Sequence, residues 1–251
     1  MISNSDRKHI IKLHQKKYRE RYEEFLVEGK KGVEEAITSN REVIMLVLEK
    51  NREEKFNNLL KLAKNSGIRV EKCSEDQVSK IKTTKTFPGV LAVVKAEKRS
   101  VADFGFSKPI ICLDHISDPG NLGTIIRTAD WFGVENILIS EGSVEARNEK
   151  VVRSSMGSIF HTKIVESNDI ISDLKGLKNS EYKLIGLDTN GENIKRQSLS
   201  RQAVYIFGSE SHGLSPEVEK ILDTSYTIEG TGQAESLNIG VSAGIVLFQI
   251  S

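Results

Sequence analysis

The 251-residue chain has no apolar run of the roughly 18–20 residues that a membrane span needs. Its longest candidate, Leu237 to Ile250, is shorter and is broken by Gly240, Ser242, Gly244 and Gln249. The opening residues, Met1 to His14, are polar and lack the apolar centre of a signal peptide. Cysteine is scarce: Cys73 and Cys112 stand far apart, without His or Cys at ligand spacing. These absences predict a reduced, cytoplasmic protein with no membrane segment and no structural metal. Internal repeats and low-complexity tracts are missing, and so is the G-x-G-x-x-G dinucleotide fingerprint. A hydrolase nucleophile elbow fails on spacing, because Gly208 lies three residues before Ser211 and Ser209 has no upstream glycine. A Ser211–His212 neighbour pair forms no triad by adjacency, so a hydrolase would have to draw its His and acid from elsewhere.

What is present is a division of charge beneath a net charge of +1. Residues 1–100 hold 23 Lys+Arg against 15 Asp+Glu, which leaves 13 basic against 20 acidic residues in the remainder. Such asymmetry suggests a basic part that meets a polyanion. The lysines of Lys50 to Lys64 are interleaved with acids and read as a solvated helix face. Arg7, Lys8, Lys12, Lys16, Lys17, Arg19 and Arg21, with His9 and His14, are opposed only by Asp6 and Glu20. For this cluster both a solvated face and phosphate contact stay open.

Apolar periodicity predicts alternating strands and helices. Residues 5–22 read as a helix. Strands follow at Phe25–Val27, Val43–Leu48, Ile68–Val70 and Val90–Val94, with helices at Lys31–Ile37, Glu53–Lys64 and Glu75–Ile81. Alternation of this kind implies a mostly parallel sheet covered by helices. Lys98, Arg99, Ser100, Gly105, Ser107, Lys108 and Pro109 break the pattern. The chain therefore reads as a basic helical stretch (1–22), a small α/β domain (23–97), a linker (98–108) and a larger α/β domain (109–251). In the last, strands are expected at Ile110–Leu113, Ile137–Ile139, Ile159–Val165, Leu184–Leu187, Val204–Phe207 and Ser225–Ile228. Helices are expected at Asn121–Phe132, Ile170–Leu177, Pro216–Leu222 and Leu237–Gln249.

Three segments of the larger domain set polar residues among glycines and apolar residues. Asp118-Pro119-Gly120-Asn121-Leu122-Gly123 follows a strand and opens a helix, so its loop can bring a phosphate or ribose to free N–H groups; a capped turn would use the same residues. Asn121 and Arg127, six helical positions apart, point to different azimuths, and can still converge if Asn121 sits in the loop and Arg127 reaches back along the helix. Glu210, in Phe207-Gly208-Ser209-Glu210-Ser211-His212-Gly213, is either a solvated turn residue or a partner for an arginine or hydroxyl. Gly230 to Asn238 is a glycine-rich loop entering an apolar helix. Ser236 fits its N-cap, and Asn238 falls at the second helical position.

Taken together and in this order, these segments resemble the SpoU/TrmH branch of the SPOUT RNA methyltransferases. The pattern N-x-G-x-I-x-R-x-A-x-x-F-G is met by Asn121, Gly123, Ile125, Arg127, Ala129, Phe132 and Gly133. G-x-E-x-x-G-L is met by Gly208, Glu210, Gly213 and Leu214, and S-L-N by Ser236, Leu237 and Asn238. Arg153 to Ser158, Phe25 to Gly29 and Thr86 to Val90 extend the likeness over nearly the whole chain.

The resemblance implies a C-terminal α/β domain with helices on both faces and a deep trefoil knot, plus a small N-terminal α/β RNA-binding domain. It implies methylation of a ribose 2′-hydroxyl in RNA, ribosomal RNA ahead of tRNA, with S-adenosylmethionine as donor and a homodimer as the working form. The catalytic set it implies is Arg127, Asn121, Glu210, Ser236 and Asn238; the cofactor set is Leu187, Gly208, Glu210, Ile228 and Leu237. One departure stands out. Where the family has I-P-M-x-G, this chain reads Ile228-Glu229-Gly230-Thr231-Gly232. The rival from another class is a non-catalytic RNA-binding or ribosome-assembly factor.

Overall fold

The computed structural model describes residues 1–105 and 107–251; Phe106, inside the expected linker, lies outside the described residues. The chain divides into two compact units. One comprises residues 1–97 and 147–160, the other residues 98–146 and 161–251. The elements in chain order are α1 (Asn4–Leu13), α2 (Lys16–Tyr22), β1 (Glu24–Glu28), α3 (Lys30–Thr38), β2 (Val43–Glu49), α4 (Asn57–Asn65), β3 (Arg69–Cys73), α5 (Glu75–Ile81) and β4 (Val90–Lys95). There follow β5 (Ile110–Leu113), α6 (Pro119–Trp131), β6 (Asn136–Ile139), α7 (Glu149–Ser154), β7 (Lys163–Glu166) and α8 (Ile170–Asn179). The last are β8 (Lys183–Asn193), β9 (Ala203–Phe207), α9 (Pro216–Glu219), β10 (Thr224–Thr227) and α10 (Ile239–Ile250).

In the first unit the strand order is β1-β4-β2-β3, with β2 and β3 parallel and β4 antiparallel to both its neighbours. The mostly parallel sheet expected from alternation is therefore wrong for this unit. Alternation fixes strand direction only where a crossover helix joins neighbouring strands, and β3 and β4 are not neighbours. The sheet is apolar on both faces. Val27, Leu46, Leu48, Val90, Ala92 and Val94 pack with α3 and α4, and with Val152 and Phe160 of the returning segment. Leu26, Met45, Val47, Leu91 and Val93 pack with Ile10, Leu13, Val78 and Ile81. Burial of each of the larger side chains among these contributes about 1.5–3 kcal/mol. Residues 1–22 form two helices parted at His14–Gln15, not one, and the backbone N–H of Ile2 donates to the carbonyl of Lys72 at 2.8 Å.

The second unit holds a six-stranded parallel sheet, ordered β10-β8-β9-β5-β6-β7. Strands β5 and β9 are buried throughout, as the central strands of a parallel sheet covered on both faces must be. The chain builds outward from β5 through β6 to β7, then restarts on the other flank. The β5/β9 boundary is thus the switch point, where loops leaving the carboxyl ends of the strands open a crevice. Strand β8 outruns the expected Leu184–Leu187. Its ladder with β10 jumps from Gly186↔Ser225 to Glu192↔Tyr226, leaving residues 187–191 outside the pairing. Helix α10 packs on α6.

Candidate active site at the carboxyl ends of the central strands

Asp118 caps α6: its side chain accepts from the Asn121 N–H at 2.8 Å, and Pro119 fills the first turn. Asn121 therefore lies inside the helix, not in the loop. Its Nδ2 donates to Glu210 Oε1, and its Oδ1 accepts from Asn238 Nδ2 at 3.0 Å. One amide thus ties the second motif to the third across 89 and 117 residues of sequence. The second oxygen of Glu210 has no partner among the described residues.

Asn238, not Ser236, is the N-cap of α10. Its Oδ1 accepts from the N–H groups of Gly240 at 2.9 Å and Val241 at 3.4 Å. The helix starts two residues later than expected because this cap ends the glycine-rich loop. Ser236 is exposed and makes no hydrogen bond among the described residues. Arg127 is exposed, and no hydrogen bond or ion pair holds it among the described residues. It stands about 9 Å along α6 from Asn121, at ~1.5 Å per residue. The structure therefore gathers Asn121, Glu210 and Asn238, and does not bond Arg127 or Ser236 to them. Arg127 shares its helix face with exposed Thr124 and Trp131. Trp131 is 83% exposed, and Val241 and Phe248 of α10 are 51% and 70% exposed. Phe132 and Phe248 meet edge to face, ring centroids 6.0 Å apart.

Gly208 and Ile228 sit just past the carboxyl ends of β9 and β10, and Leu187, within β8, is the last residue of that strand to pair with β9; the three strands are neighbours in the sheet. All three are partly exposed, and Leu237 is 47% exposed. Gly208 opens a tight turn in which Ser209 and Gly213 exchange backbone hydrogen bonds, each 2.9 Å. A Cβ at Gly208 would stand 2.1–2.3 Å from the backbone of Gly213 and Leu214, so only glycine fits. Glu229, in the departure from the family pattern, accepts from Asn193 Nδ2 and so ties the loop after β10 to the end of β8.

One residue escaped the sequence reading. Asp114, directly after β5, is fully buried and accepts from the Ser215 N–H and from His115 Nδ1, both at 2.7 Å. It joins the loop after β5 to the loop after β9. An acidic residue at the end of an all-apolar strand was the available signal. Cys112, two residues earlier, is pushed well up, by burial first and then by Asp114 and Asp173, so it stays a thiol. Among the described residues no cluster of three or more His, Cys, Asp or Glu side chains is placed to hold a metal ion, and no helix is long and apolar enough to cross a membrane.

A site built from loops at a switch point can serve many chemistries, so the comparisons narrow the choice. Residues 108–248 match the model of the SpoU rRNA Methylase family, and residues 4–92 match the MRM3-like substrate binding domain. The chain is 32% identical over 240 residues to the 23S rRNA (guanosine(2553)-2′-O)-methyltransferase RlmP of Bacillus subtilis, covering 95% of this chain and 93% of that protein. It is 27% identical over 212 residues to the 23S rRNA (guanosine-2′-O-)-methyltransferase RlmB of Nitrosomonas europaea, covering 81% and 82%. The crystal structure of an AdoMet-bound rRNA methyltransferase from Sinorhizobium meliloti matches with a TM-score of 0.86 at 26% identity, covering 99% of this chain and 95% of that one. With the three motifs joined through Asn121 and a family model spanning more than half its length, the chain belongs to the SpoU family of RNA methyltransferases.

Proposed function

We propose that the protein methylates a ribose 2′-hydroxyl of ribosomal RNA with S-adenosylmethionine as the donor. The observation that carries this reading is the Glu210–Asn121–Asn238 chain of hydrogen bonds, which holds one carboxylate oxygen, free of any partner among the described residues, between the loop after β9 and the start of α6. The residues fit the donor. Leu187, Ile228 and Leu237 offer partly exposed apolar surface, and the turn at Gly208 leaves backbone groups where no Cβ fits. When bound, the donor supplies an electrophilic methyl group on a sulfonium.

The chain's own residues have two tasks, to orient a weak nucleophile and to ease loss of its proton. Glu210 accepts a hydrogen bond from the ribose or from a guanidinium. Asn121 and Asn238 spend most of their hydrogen-bonding capacity on each other, on Glu210 and on the α10 cap. Each keeps one amide N–H to spare, so their chief role is to position Glu210, with ribose contact secondary. Ser236 is available for phosphate. Arg127 is permanently charged and cannot serve as a base without great cost, so it orients the ribose phosphate and stabilises negative charge developing on oxygen.

The working form is a homodimer. The apolar surface of Trp131, Val241 and Phe248 on α6 and α10 supports this, and Arg127 on the same helix face would reach toward the second copy. A trefoil knot belongs to the same reading: the chain leaves edge strand β10 and ends in α10 against α6, the helix that follows β5 three strands away. Cytoplasmic residence goes with an RNA substrate and two buried free thiols.

The test is transfer of label from tritiated S-adenosylmethionine to ribosomal RNA of cells lacking the protein, followed by alkaline hydrolysis. Label in an alkali-stable 2′-O-methyl dinucleotide is expected. Label on a base would overturn the assignment. Donor binding without transfer would favour the non-catalytic assembly factor.

A further inference from the structure

The first unit carries a cluster that the site above does not use. Tyr18 and Tyr22, one turn apart on α2, stack with ring centroids 6.0 Å apart and planes 11° from parallel. Both are half-buried, so each ring keeps an exposed part. Lys17 Nζ lies 4.9 Å, and Lys12 Nζ from α1 lies 5.6 Å, from the Tyr18 ring centroid; the Arg21 guanidinium is 5.8 Å from that of Tyr22. His9 meets Tyr22 at 4.8 Å and is held by Glu24. Of the nearby acids, Glu20 pairs with Lys16 and Glu24 with His9. Lys12, Lys17 and Arg21 are exposed, with no carboxylate within ion-pair distance among the described residues.

A solvated basic face has no use for two aligned rings. An acidic protein surface would meet the cations but not the ring planes. Alternating flat π-faces and uncompensated cations are what an unpaired nucleotide strand demands: bases stack on the rings while the backbone runs past the charges. Exposed cation–π contacts are weak, so a base can displace a lysine from Tyr18 and free it for a phosphate.

We propose that the Tyr18–Tyr22 ladder, with Lys12, Lys17 and Arg21, is a docking site for an unpaired stretch of the substrate RNA. This rests on the RNA-methylation reading above. The site gives the first unit a preference for single-stranded over duplex RNA, without choosing a base.

The test measures binding of the full-length protein to a fluorescein-labelled 12-nucleotide single-stranded RNA and to a 12-base-pair RNA duplex across a salt series. Transfer of tritiated methyl groups to ribosomal RNA is followed in parallel. Tyr18→Leu is expected to weaken single-strand affinity by roughly 5- to 150-fold, the range for loss of one base–aromatic stack. It leaves the salt slope and the affinity for S-adenosylmethionine unchanged. Tyr18→Phe keeps wild-type affinity. Lys12→Gln with Lys17→Gln lowers the slope of log K against log salt by about 1.4, at ~0.7 per phosphate contact on a single strand. If Tyr18→Leu and the double lysine variant bind and methylate RNA like wild type, the docking site is wrong and the methylation reading stands. Equal affinity of the wild type for strand and duplex also sinks it, as does unchanged RNA binding with loss of an acidic protein partner. If the wild type transfers no methyl group and binds no RNA, both readings fall.

Discussion

Asn238 does two jobs that substitution can separate. Its Oδ1 caps α10, and its Nδ2 holds Asn121, which holds Glu210. Asn238→Ala removes both. Loss of an N-cap costs about 1 kcal/mol, and an exposed hydrogen bond adds about 0.5 kcal/mol. At ~2–4 °C per kcal/mol for a unit of this size, the melting temperature should fall by about 3–6 °C. Asn238→Asp restores the acceptor oxygens, and its charge suits a helix amino terminus by about 0.3–1 kcal/mol. Stability should therefore return to near wild type. The donor to Asn121 is still missing, and Asn121 now lies between two carboxylates with a single amide nitrogen. Whichever way that amide turns, one carboxylate faces an oxygen, and Glu210 loses its fixed position. A misplacement near 1 Å costs about 100-fold in rate, so methyl transfer by Asn238→Asp should drop by about 10- to 100-fold in a protein that melts normally. Calorimetry and single-turnover transfer measure the two effects separately. Wild-type turnover in Asn238→Asp would refute the coupling of the three motifs; wild-type melting in Asn238→Ala would refute the cap.

Four further outcomes are expected. Arg127→Ala should lower kcat by about 100- to 1,000-fold, the range for removing one charge-stabilising donor, with donor affinity by calorimetry and the wild-type sedimentation coefficient both kept. Gly208→Ala should abolish binding of S-adenosylmethionine, because its Cβ collides with the backbone of Gly213; titration of the folded variant checks this. Neither cysteine should react with a thiol reagent at pH 8 until the protein unfolds, since burial, with Glu49 nearby, pushes Cys73 up to about 11, and burial pushes Cys112 up as well. Bidentate hydrogen bonds from Arg69, aided by Ser3, hold the Asp6 carboxyl below its usual value. Its folded pKa is the lower one, so its stabilisation is present above the unfolded value and is lost as pH falls through the folded one. Asp6→Asn should therefore flatten the acid side of the stability profile below about pH 4, as thermal melts across that range would reveal.

Where apolar periodicity was strong, the sequence reading matched the fold. Val43–Leu48, Val90–Val94 and Glu75–Ile81 lie within one residue of β2, β4 and α5, the last marked by its Ser74–Gln77 capping box. The reading failed where polar residues carry structure. Residues 188–193 extend β8 without any apolar alternation, because they lie at an irregular edge of the ladder. Residues 159–162, expected at the start of a strand, leave the sheet: Phe160 ends a 3₁₀ turn and is buried in the first unit's core. Strand direction in the first sheet was hidden, since pattern does not encode which neighbour a strand chooses. In the site, the family resemblance named Asn121, Glu210 and Asn238 but not how they connect. An amide that bonds partners 89 and 117 residues away leaves no local trace. Asp114 did leave one, a carboxylate at the end of an all-apolar strand, but its partner Ser215 lies 101 residues away.

The excursion of residues 147–160 has a practical consequence for anyone dissecting the protein. A fragment ending at Glu97 would keep the four strands of the first sheet yet lose Val152 and Phe160 from its interior. A cavity lined by Phe25 and its neighbours would open there. The complementary piece, starting at Lys98, would carry those two apolar side chains with nothing to cover them. Neither half is a clean module. Excising the first unit therefore calls for grafting the 147–160 segment back in cis, not for a single cut.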